Sequence, residues 1–401
     1  MTPPTGITDP EGKGRSLLLR RTIYGTKQAA REWHSLLKSV LIELGYKAVD
    51  ASDCFWLLRS GKSISMLVIH VDDIAHAHND AKMSATLKGK CKDLWGLSGD
   101  GPLEWFLGMR VDYIKGVSTS ISQKAYLEAV LKRFDMEAVH PRKTPMETSL
   151  KISTADCPAQ MNDLVRQQYQ SILGSLMYAA TMTRPDLANA CAQFGRVMAN
   201  PSEAHLAALK RIVRYVAGTL DLCLKFTNEP WTPPGYERPV EPLTPVAFSD
   251  SDWASNVDDR SSTTGSLVFL CGAPISWRSR SQKIKALSSA EAEYVAMGET
   301  SKDVAYVRNV LRELGMGDIK GPTSISTDST SAMAIAKQVG VRDKTKHIEL
   351  RYHYIRGLID RGEIDLIKVD TKLNPADALT KALPIDPFEL HRDVMLRRAD
   401  A

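Results

Sequence analysis

Four carboxylates in the C-terminal part of the chain could meet at one edge of a sheet. Two of them end predicted strands, one heads the apolar face of a predicted helix, and one lies in the first turn of another predicted helix. Such an oxygen-only ligand set suits Mg²⁺, with Mn²⁺ as a substitute. Two ions ~4 Å apart would activate a water and stabilise the leaving oxygen in phosphodiester cleavage. The four residues are Asp250, Glu293, Asp328 and Asp377.

Each of these acids also has an ordinary structural interpretation. An aspartate at a strand end can form an Asx-turn, and an acid in the first turn of a helix is stabilised by the helix dipole. Glu293 could lie at a solvated helix start, although it heads an apolar stripe where a carboxylate needs a cation. Its neighbour Glu291 has a local role in a capping box with Ser288. The metal-site prediction therefore rests on the four acids jointly. Asp252 shares a strand face with Asp250 and is the weaker candidate.

A second acidic motif, Asp72-Asp73, follows the apolar segment 66–71. Adjacent carboxylates repel each other and lose hydration unless they face solvent or share a cation. The pair is therefore either an exposed β-turn or a pair of metal ligands.

Histidines and cations near these motifs could make further contacts. A transition-metal site would need His70, His76 and His78 to share one strand face with Asp72, and a turn after the aspartate pair would break that face. His347, in a cation-rich loop, could touch phosphate or help product leave, or it could be a plain surface histidine. Four cations before the long helix could contact phosphates or form a solvated loop. These are Arg278, Arg280, Lys283 and Lys285.

The helices and strands that must position these side chains predict a fold of the α/β class with α+β character. In the C-terminal body we predict a mixed five-stranded sheet, with a long helix over 288–314 and a further helix from Asn374. In the N-terminal body a helix over 25–44 precedes two strands, 54–58 and 63–71. The proline-rich segment 228–245 predicts a stiff linker or surface crossing between the two bodies. The five strands of the C-terminal body are 245–249, 266–271, 275–278, 323–327 and 363–369.

Composition restricts the class of protein. The 401 residues are 43% hydrophobic and 25% charged, as in globular chains, and no apolar run approaches the ~20 residues of a membrane helix. The six cysteines are far apart and form no C-x-x-C pair, so we expect a reducing, intracellular compartment. The net charge of +5 lies before residue 246, which permits a polyanionic partner without requiring one.

Motifs along nearly the whole chain resemble those of copia-type retrotransposon polyproteins, in the order found in that family. Segments resembling the family's reverse transcriptase and its helical region are 24–33, 70–73, 106–109, 122–126, 174–178, 183–186 and 210–215. Segments resembling its ribonuclease H domain are 249–254, 288–294, 327–329 and 376–381.

The resemblance implies roles for particular residues. Asp72 and Asp73 would be two of the three metal-binding carboxylates of a polymerase palm. Lys27 and Gln28 would lie near the incoming nucleotide, and the segment 106–109 near the primer terminus. The acids at positions 250, 293, 328 and 377 would form the ribonuclease H quartet, whose substrate is an RNA–DNA hybrid read through its shape and 2′-hydroxyls.

The sequence also departs from the family pattern. His70 replaces the usual tyrosine, and Thr26 and Ala30 replace a leucine and a proline. The strand with the family's first catalytic aspartate precedes a segment that residues 1–6 resemble. Asp9 and Glu11, the acids before Tyr24, read as part of a turn. We therefore expect an incomplete palm, with its third metal ligand missing.

These observations lead to one preferred function and two alternatives. The preferred function is Mg²⁺-dependent cleavage of the RNA strand of hybrids, with polymerase activity lost. The alternatives are RNA-directed DNA polymerase activity, if the missing palm segment is supplied, and a catalytically silent nucleic-acid-binding remnant. RNA–DNA hybrids and other nucleic acids are the expected partners, and no membrane is involved. The predicted domains are a partial palm at 1–145, a helical thumb or connection at 146–227, the linker at 228–245, a ribonuclease H-like domain at 246–384 and a tail at 385–401.

Overall fold

The chain forms two compact units in the computed structural model, divided between Pro102 and Leu103. Within the part of the chain that the structure describes, the fold is mixed α/β with three sheets and ten α-helices, which agrees with the predicted class. His347, Tyr24 and residues 1–21 lie outside the described residues. None of the described helices combines the length and the apolarity needed to cross a membrane. The structure describes residues 22–23, 25–97, 99, 101–316, 319, 321–337 and 349–399.

The first unit packs two helices against a four-stranded antiparallel sheet. Its elements are α1 (Ala29–Glu43), β1 (Lys47–Val49), β2 (Ser52–Ser60), β3 (Ser63–His70), β4 (Asp73–His78) and α2 (Ala81–Trp95). The strands follow one another in the order β1-β2-β3-β4. Alternate residues of β3 are buried, so Leu67 and Ile69 share a core with Leu37 and Leu41 of α1.

The second unit begins with a small antiparallel sheet and a helical region. These elements are β5 (Trp105–Phe106), β6 (Met109–Ile114), β7 (Ser118–Ser122), α3 (Lys124–Arg133), α4 (Asp163–Met182), α5 (Ala188–Gly195), α6 (Glu203–Ala217) and β8 (Leu222–Thr227). The sheet has the order β14-β8-β7-β6-β5, and its edge strand β14 (Arg397–Arg398) comes from the C-terminal end.

A buried ion pair explains the Thr-Arg-Pro-Asp motif of the helical region. The Arg184 guanidinium, wholly buried, donates to both carboxylate oxygens of Asp186 at 2.9 and 2.7 Å. The Tyr215 hydroxyl of α6 donates to the same carboxylate at 2.6 Å. Bidentate pairing satisfies the charges that burial would otherwise penalise, so this motif holds the helices together.

The rest of the second unit is a mixed five-stranded sheet with flanking helices. Its elements are β9 (Val246–Asp252), β10 (Thr263–Leu270), β11 (Ala273–Ser281), α7 (Ser289–Glu313), β12 (Thr323–Thr327), α8 (Thr330–Lys337), α9 (Glu349–Asp360), β13 (Ile364–Lys368) and α10 (Ile385–Met395). The strand order is β11-β10-β9-β12-β13. The first three strands pair antiparallel, whereas β12 lies parallel to both β9 and β13.

The two faces of this sheet belong to two different cores. On β9 and β10, Ala247 and Val268 face the core that also contains Met297 of α7. Their neighbours Phe248 and Phe269 face the opposite side and join the core of α4, α5 and α6. This separation follows from the two-residue period of a strand. The helical region and the five-stranded sheet therefore share one continuous core.

The proline-rich segment is packed on this sheet. Trp231 forms a bridge with Val240, and its ring lies 5.2 Å from the ring of Phe269. Gly235 has a positive φ of 78°, and a Cβ there would lie 2.7 Å from a methyl carbon of Val369. The segment thus crosses the surface of the second unit. The domain boundaries proposed from sequence remain predictions.

Candidate metal centre

Three carboxylates meet at the middle of the five-stranded sheet. The side chains of Asp250, Asp328 and Asp377 each offer an oxygen, and these atoms all lie within 4.8 Å of one another. Asp250 and Asp377 are buried, and Asp328 is partly exposed. The structure thus brings together three of the four acids predicted to converge.

The parallel register aligns two of these acids. Asp328 directly follows β12, which lies beside β9 with Ile325 opposite Ala247. Asp328 and Asp250 each come three residues after this pair, so they lie side by side. The prediction that Asp250 follows its strand was wrong, because β9 continues to Asp252 through its pairing with β10.

Asp377 is brought to the strands by a short 3₁₀ helix, Pro375–Leu379. Asn374 caps this helix through a 3.2 Å hydrogen bond from the Ala376 N–H to its side-chain oxygen. The Asn374 amide donates at 3.0 Å to the carbonyl oxygen of Ser249. A Cβ on Gly265, the β10 partner of Asp250, would lie 2.7 Å from the Ala376 carbonyl oxygen. Glycine therefore permits the close approach of the 3₁₀ helix.

Glu293 reaches the same region from the first turns of α7. One carboxylate oxygen accepts a 3.2 Å hydrogen bond from the Ser251 N–H, beside Asp250. The other oxygen is buried and has no hydrogen-bond partner among the described residues. Glu293 is 8% exposed, so the solvated alternative was wrong. The predicted capping box of Glu291 with Ser288 is formed only in part. The Glu291 N–H donates to Ser288 Oγ at 3.2 Å, but the Glu291 carboxylate accepts from the Leu287 N–H rather than from the Ser288 N–H.

Burial and mutual repulsion raise the pKa of three of the acids. Burial, followed by the charges of Asp377 and Glu293, raises the pKa of Asp250 well above its usual range. Burial, followed by the charge of Asp328, raises the pKa of Glu293 to about 7. Burial also raises the pKa of Asp377, although Lys381 opposes the shift. One buried oxygen of Asp377 has no hydrogen-bond partner among the described residues. The set therefore fits a divalent cation, which would stabilise the ionised acids.

Two residues that the sequence analysis did not single out contact this cluster. The Lys381 ammonium lies 3.0 Å from a carboxylate oxygen of Asp377, and the Thr380 hydroxyl donates to Asp250. Burial acts to lower the pKa of Lys381, but the carboxylates of Asp250 and Asp377 outweigh burial, so the pKa of Lys381 is raised. The spacing of four residues between Asp377 and Lys381 was the signal that could have revealed this pair.

Asp328 makes two further contacts, and Asp252 lies outside the group of three acids. The Thr371 hydroxyl donates to the Asp328 carboxylate at 2.7 Å, and the Lys368 ammonium donates to the Asp328 carbonyl oxygen. Asp252 is half-buried, and burial raises its pKa. It does not belong to the group of three acids that lie within ligand distance.

The predicted phosphate-contacting cations fall into two classes. Arg278 is paired with the buried Asp303, and Lys285 lies 2.9 Å from Asp259. Arg280 and Lys283 are exposed. Arg278 and Lys285 thus each have an intramolecular ion pair, whereas Arg280 and Lys283 present their charges to solvent.

The acid pair of the first unit lies at a hairpin turn. His70 pairs with Asp73 across β3 and β4, and Val71, with a φ of 53°, forms the turn with Asp72. Both aspartates are exposed, as the turn interpretation predicted. The Trp33 indole donates to the Val71 carbonyl oxygen at 2.7 Å and fixes the turn to α1.

The transition-metal alternative was wrong. His70 lies on β3, whereas His76 and His78 lie on β4, and the described histidines form no metal-binding group. His76 instead contacts Ser65 at 2.8 Å, and burial lowers its pKa to about 4.

The remaining predicted contacts belong to the N-terminal part of the chain. Lys27 and Gln28 are exposed just before α1. The segment 106–109 forms the turn between β5 and β6, where the Tyr178 hydroxyl donates to the Leu107 carbonyl oxygen. The nucleotide and primer contacts assigned to these residues stay predictions.

Comparisons with known proteins find relatives of this chain among transposon polyproteins. The family model described as reverse transcriptase (RNA-dependent DNA polymerase) matches residues 1–148. The Retrovirus-related Pol polyprotein from transposon TNT 1-94 of Nicotiana tabacum is 34% identical over 400 residues, which cover 98% of this chain and 29% of that polyprotein. The Retrovirus-related Pol polyproteins from transposons RE1 and RE2 of Arabidopsis thaliana are 33% and 34% identical over 391 residues. That match covers 97% of this chain and 25% or 26% of those relatives, so the chain spans under a third of each polyprotein.

Proposed function

Because the chain belongs to the Pol polyprotein family of copia-type retrotransposons and carries a reverse transcriptase domain, we propose that its residues 246–384 form a ribonuclease H domain. This domain hydrolyses the RNA strand of RNA–DNA hybrids with Mg²⁺. The observation that carries the proposal is the convergence of Asp250, Asp328 and Asp377, whose carboxylate oxygens lie within 4.8 Å of one another where β9, the end of β12 and the 3₁₀ helix meet. The buried Glu293 beside them supports it.

The architecture around the acids supports the same proposal. A ribonuclease H-like domain is a mixed five-stranded sheet with flanking helices, and the order β11-β10-β9-β12-β13 is compatible with it. Asp250 lies on the central strand, and Asp328 follows the strand that is parallel to it. These two carboxylates are therefore positioned by neighbouring strands of one sheet, as suits a hydrolytic site.

The chemistry follows from the ligand set. Asp250, Asp328, Asp377 and Glu293 would hold divalent cations. When bound, Mg²⁺ supplies a polarised water and neutralises charge on the phosphodiester. In the hydrolysis a water oxygen bonds to phosphorus, the bond from phosphorus to a ribose oxygen breaks, and that oxygen gains a proton while the water loses one. The carboxylates of this chain fix where that exchange takes place, because Asp250 lies within β9, Glu293 within α7 and Asp377 within the 3₁₀ helix, and Asp328 directly follows β12.

Substrate contacts are assigned to the exposed cations near the site. Arg280 and Lys283 would bind phosphates, with Arg278, Lys285 and His347 as the further candidates from sequence. The intramolecular ion pairs of Arg278 and Lys285 make these two weaker contacts. Hybrid recognition would rest on backbone shape and 2′-hydroxyls rather than base sequence.

A second candidate activity is RNA-directed DNA polymerisation. The family match over residues 1–148 and the exposed pair Asp72 and Asp73 favour it. Lys27 and Gln28 would then contact the incoming nucleotide. Polymerase chemistry needs a third carboxylate, which the described residues do not bring to this pair. A catalytically silent nucleic-acid-binding remnant is the third possibility, and the convergence of the C-terminal acids argues against it.

A substrate panel tests the proposal. The full chain is incubated in Mg²⁺ with labelled RNA in three forms: as an RNA–DNA hybrid, as a double-stranded RNA and as a single strand. We expect cleavage of the RNA in the hybrid alone, with no product in EDTA. Equal cleavage of all three forms would contradict a ribonuclease H assignment, and primer extension in a parallel reaction would support the polymerase alternative.

A further inference from the structure

Lys381 occupies a position that the hydrolytic chemistry does not by itself require. Its ammonium lies 3.0 Å from one carboxylate oxygen of Asp377 and is partly shielded from solvent. We propose that Lys381 is a positioning residue that acts as a built-in counter-ion. It neutralises the acid cluster when no divalent cation is bound, and a cation that binds through both oxygens of Asp377 displaces it. This inference rests on the proposed metal-dependent function.

The first step of the argument is electrostatic. Three carboxylates with oxygens within 4.8 Å of one another, two of them buried, repel strongly unless a positive charge lies among them. Lys381 follows the 3₁₀ helix that carries Asp377, so folding of that helix brings the charge to the cluster. The Thr380 hydroxyl, one residue earlier, binds Asp250 but carries no charge. Lys381 thus supplies a cation in the absence of metal.

The second step concerns the individual oxygens. One oxygen of Asp377 accepts the ammonium, while the other is buried without a hydrogen-bond partner in the described structure. One oxygen of Asp250 accepts from Thr380. A divalent cation that used both oxygens of Asp377 would therefore have to replace Lys381. Such competition makes the affinity for metal depend on this side chain.

The third step is a place for the displaced ammonium. Lys381 also lines a cavity of about 80 Å³ with Asp252, Ser255 and Gln193. Asp252 is a half-buried carboxylate that already interacts with the charge of Lys381. A lysine side chain rotates about several bonds, so it can turn from Asp377 towards Asp252. The side chain can therefore leave the metal ligands and remain paired.

A plain surface ion pair would behave differently. Pairs between exposed side chains contribute little to stability, and removing one should not alter metal affinity in a defined direction. A counter-ion that competes with metal has the opposite signature: its removal destabilises the metal-free protein and tightens metal binding. The two interpretations therefore differ in the sign of a measured change in affinity.

The experiment uses the full chain and Mn²⁺ binding, followed by the electron paramagnetic resonance signal of free Mn²⁺. Variants are K381M, which removes the charge, and K381R, which keeps it. K132M, which removes an exposed lysine from α3, is the matched control. Binding that is lost in D328N identifies the sites at this cluster. Thermal unfolding is recorded for each variant in EDTA and in saturating Mn²⁺.

We expect K381M to bind Mn²⁺ more tightly, on the order of tenfold, because a positive charge near the ligands has been removed. It should unfold at a lower temperature in EDTA but not in saturating Mn²⁺, and K381R and K132M should resemble the wild type. If K381M is unfolded in EDTA, Mn²⁺ should restore its folding. Unchanged or weaker Mn²⁺ affinity, or equal destabilisation with and without Mn²⁺, would overturn the proposal.

Mn²⁺ binding distinguishes a failure of the counter-ion proposal from a failure of the proposed function. A wild-type chain that binds no Mn²⁺ at the cluster contradicts both. A chain that binds Mn²⁺ there, with K381M like the wild type, overturns the counter-ion role alone. Hybrid cleavage is measured separately and does not enter either readout.

Discussion

The side-chain amide of Asn374 donates a 3.0 Å hydrogen bond to the carbonyl oxygen of Ser249. This bond joins the segment that carries Asp377 to the strand that carries Asp250. Both Asn374 and Ser249 are wholly buried. One side chain thus couples the positions of two acids that are far apart in sequence.

Replacement of Asn374 by Ala should therefore loosen the acid cluster. The substitution removes the bond to Ser249 and the cap on the Ala376 N–H. Loss of these buried bonds should cost about 1–3 kcal/mol of unfolding free energy. We expect hybrid cleavage to fall by more than the unfolded fraction explains. Urea unfolding and cleavage rates measured together check this, and a variant with wild-type values of both would exclude a positioning role for Asn374.

Replacement of Gly265 by Ala should separate the 3₁₀ helix from β10. The added Cβ would lie 2.7 Å from the Ala376 carbonyl oxygen, a backbone atom that cannot rotate away. Overpacking of this kind typically costs about 1–3 kcal/mol. Gly321, where a Cβ would meet no atom within 4 Å, is the control. Thermal unfolding should show a large loss for G265A and almost none for G321A; equal values would refute the close-approach argument.

The metal-free chain should lose stability as the pH rises from about 5 to about 7. Burial and Asp328 raise the pKa of Glu293 from 4.5 to about 7, so the folded state holds a proton that the unfolded state releases in this window. The loss of stability caused by Glu293 is absent below its unfolded pKa of 4.5 and is complete above its folded pKa of about 7.

Substitution of Glu293 by Gln isolates this effect. E293Q in EDTA should show a flatter dependence of melting temperature on pH and should be more stable than the wild type at pH 8. Identical pH profiles for the two proteins would show that Glu293 does not titrate in this range.

The shared core predicts that the five-stranded sheet is unstable alone. Phe248 and Phe269 pack in the same core as α4, α5 and α6, so a fragment of residues 246–401 would expose them. A linker at 228–245, as predicted from the sequence, would let this fragment fold by itself. The packing of Phe248 and Phe269 predicts instead that the fragment does not fold alone. A fragment of 103–401 should unfold cooperatively, whereas 246–401 should not. Circular dichroism melts of both fragments test this, and a sharp transition for 246–401 would show that the shared core is dispensable.

Local patterns predicted the elements well because each depends on nearby residues. The strand 323–327 was predicted with the observed bounds, and the helix 288–314 was close to α7. The position of Asp250 inside β9 was not predicted, because pairing with β10 extends that strand.

The contacts between distant segments were harder to predict. The bond between Asn374 and Ser249 joins residues 125 positions apart, and no local pattern encodes it. Lys381 was also missed, since its role depends on acids that only the folded sheet brings together. The turn at Asp72 was one of the two alternatives that the sequence left open, because adjacent carboxylates must either face solvent or share a cation, and both aspartates are exposed.

Hybrid cleavage by the full chain and its D328N variant tests the central claim most directly. Asn keeps the shape of Asp328 but removes a charge from the ligand set, and D360N, which neutralises an exposed acid at the end of α9, is the control. Thermal unfolding in EDTA shows that each protein is folded. The account predicts Mg²⁺-dependent cleavage by the wild type and D360N, with a loss of roughly a hundredfold or more in D328N at unreduced stability. A folded D328N protein that cleaves as fast as the wild type, or a folded wild type that never cleaves a hybrid in Mg²⁺, would contradict it.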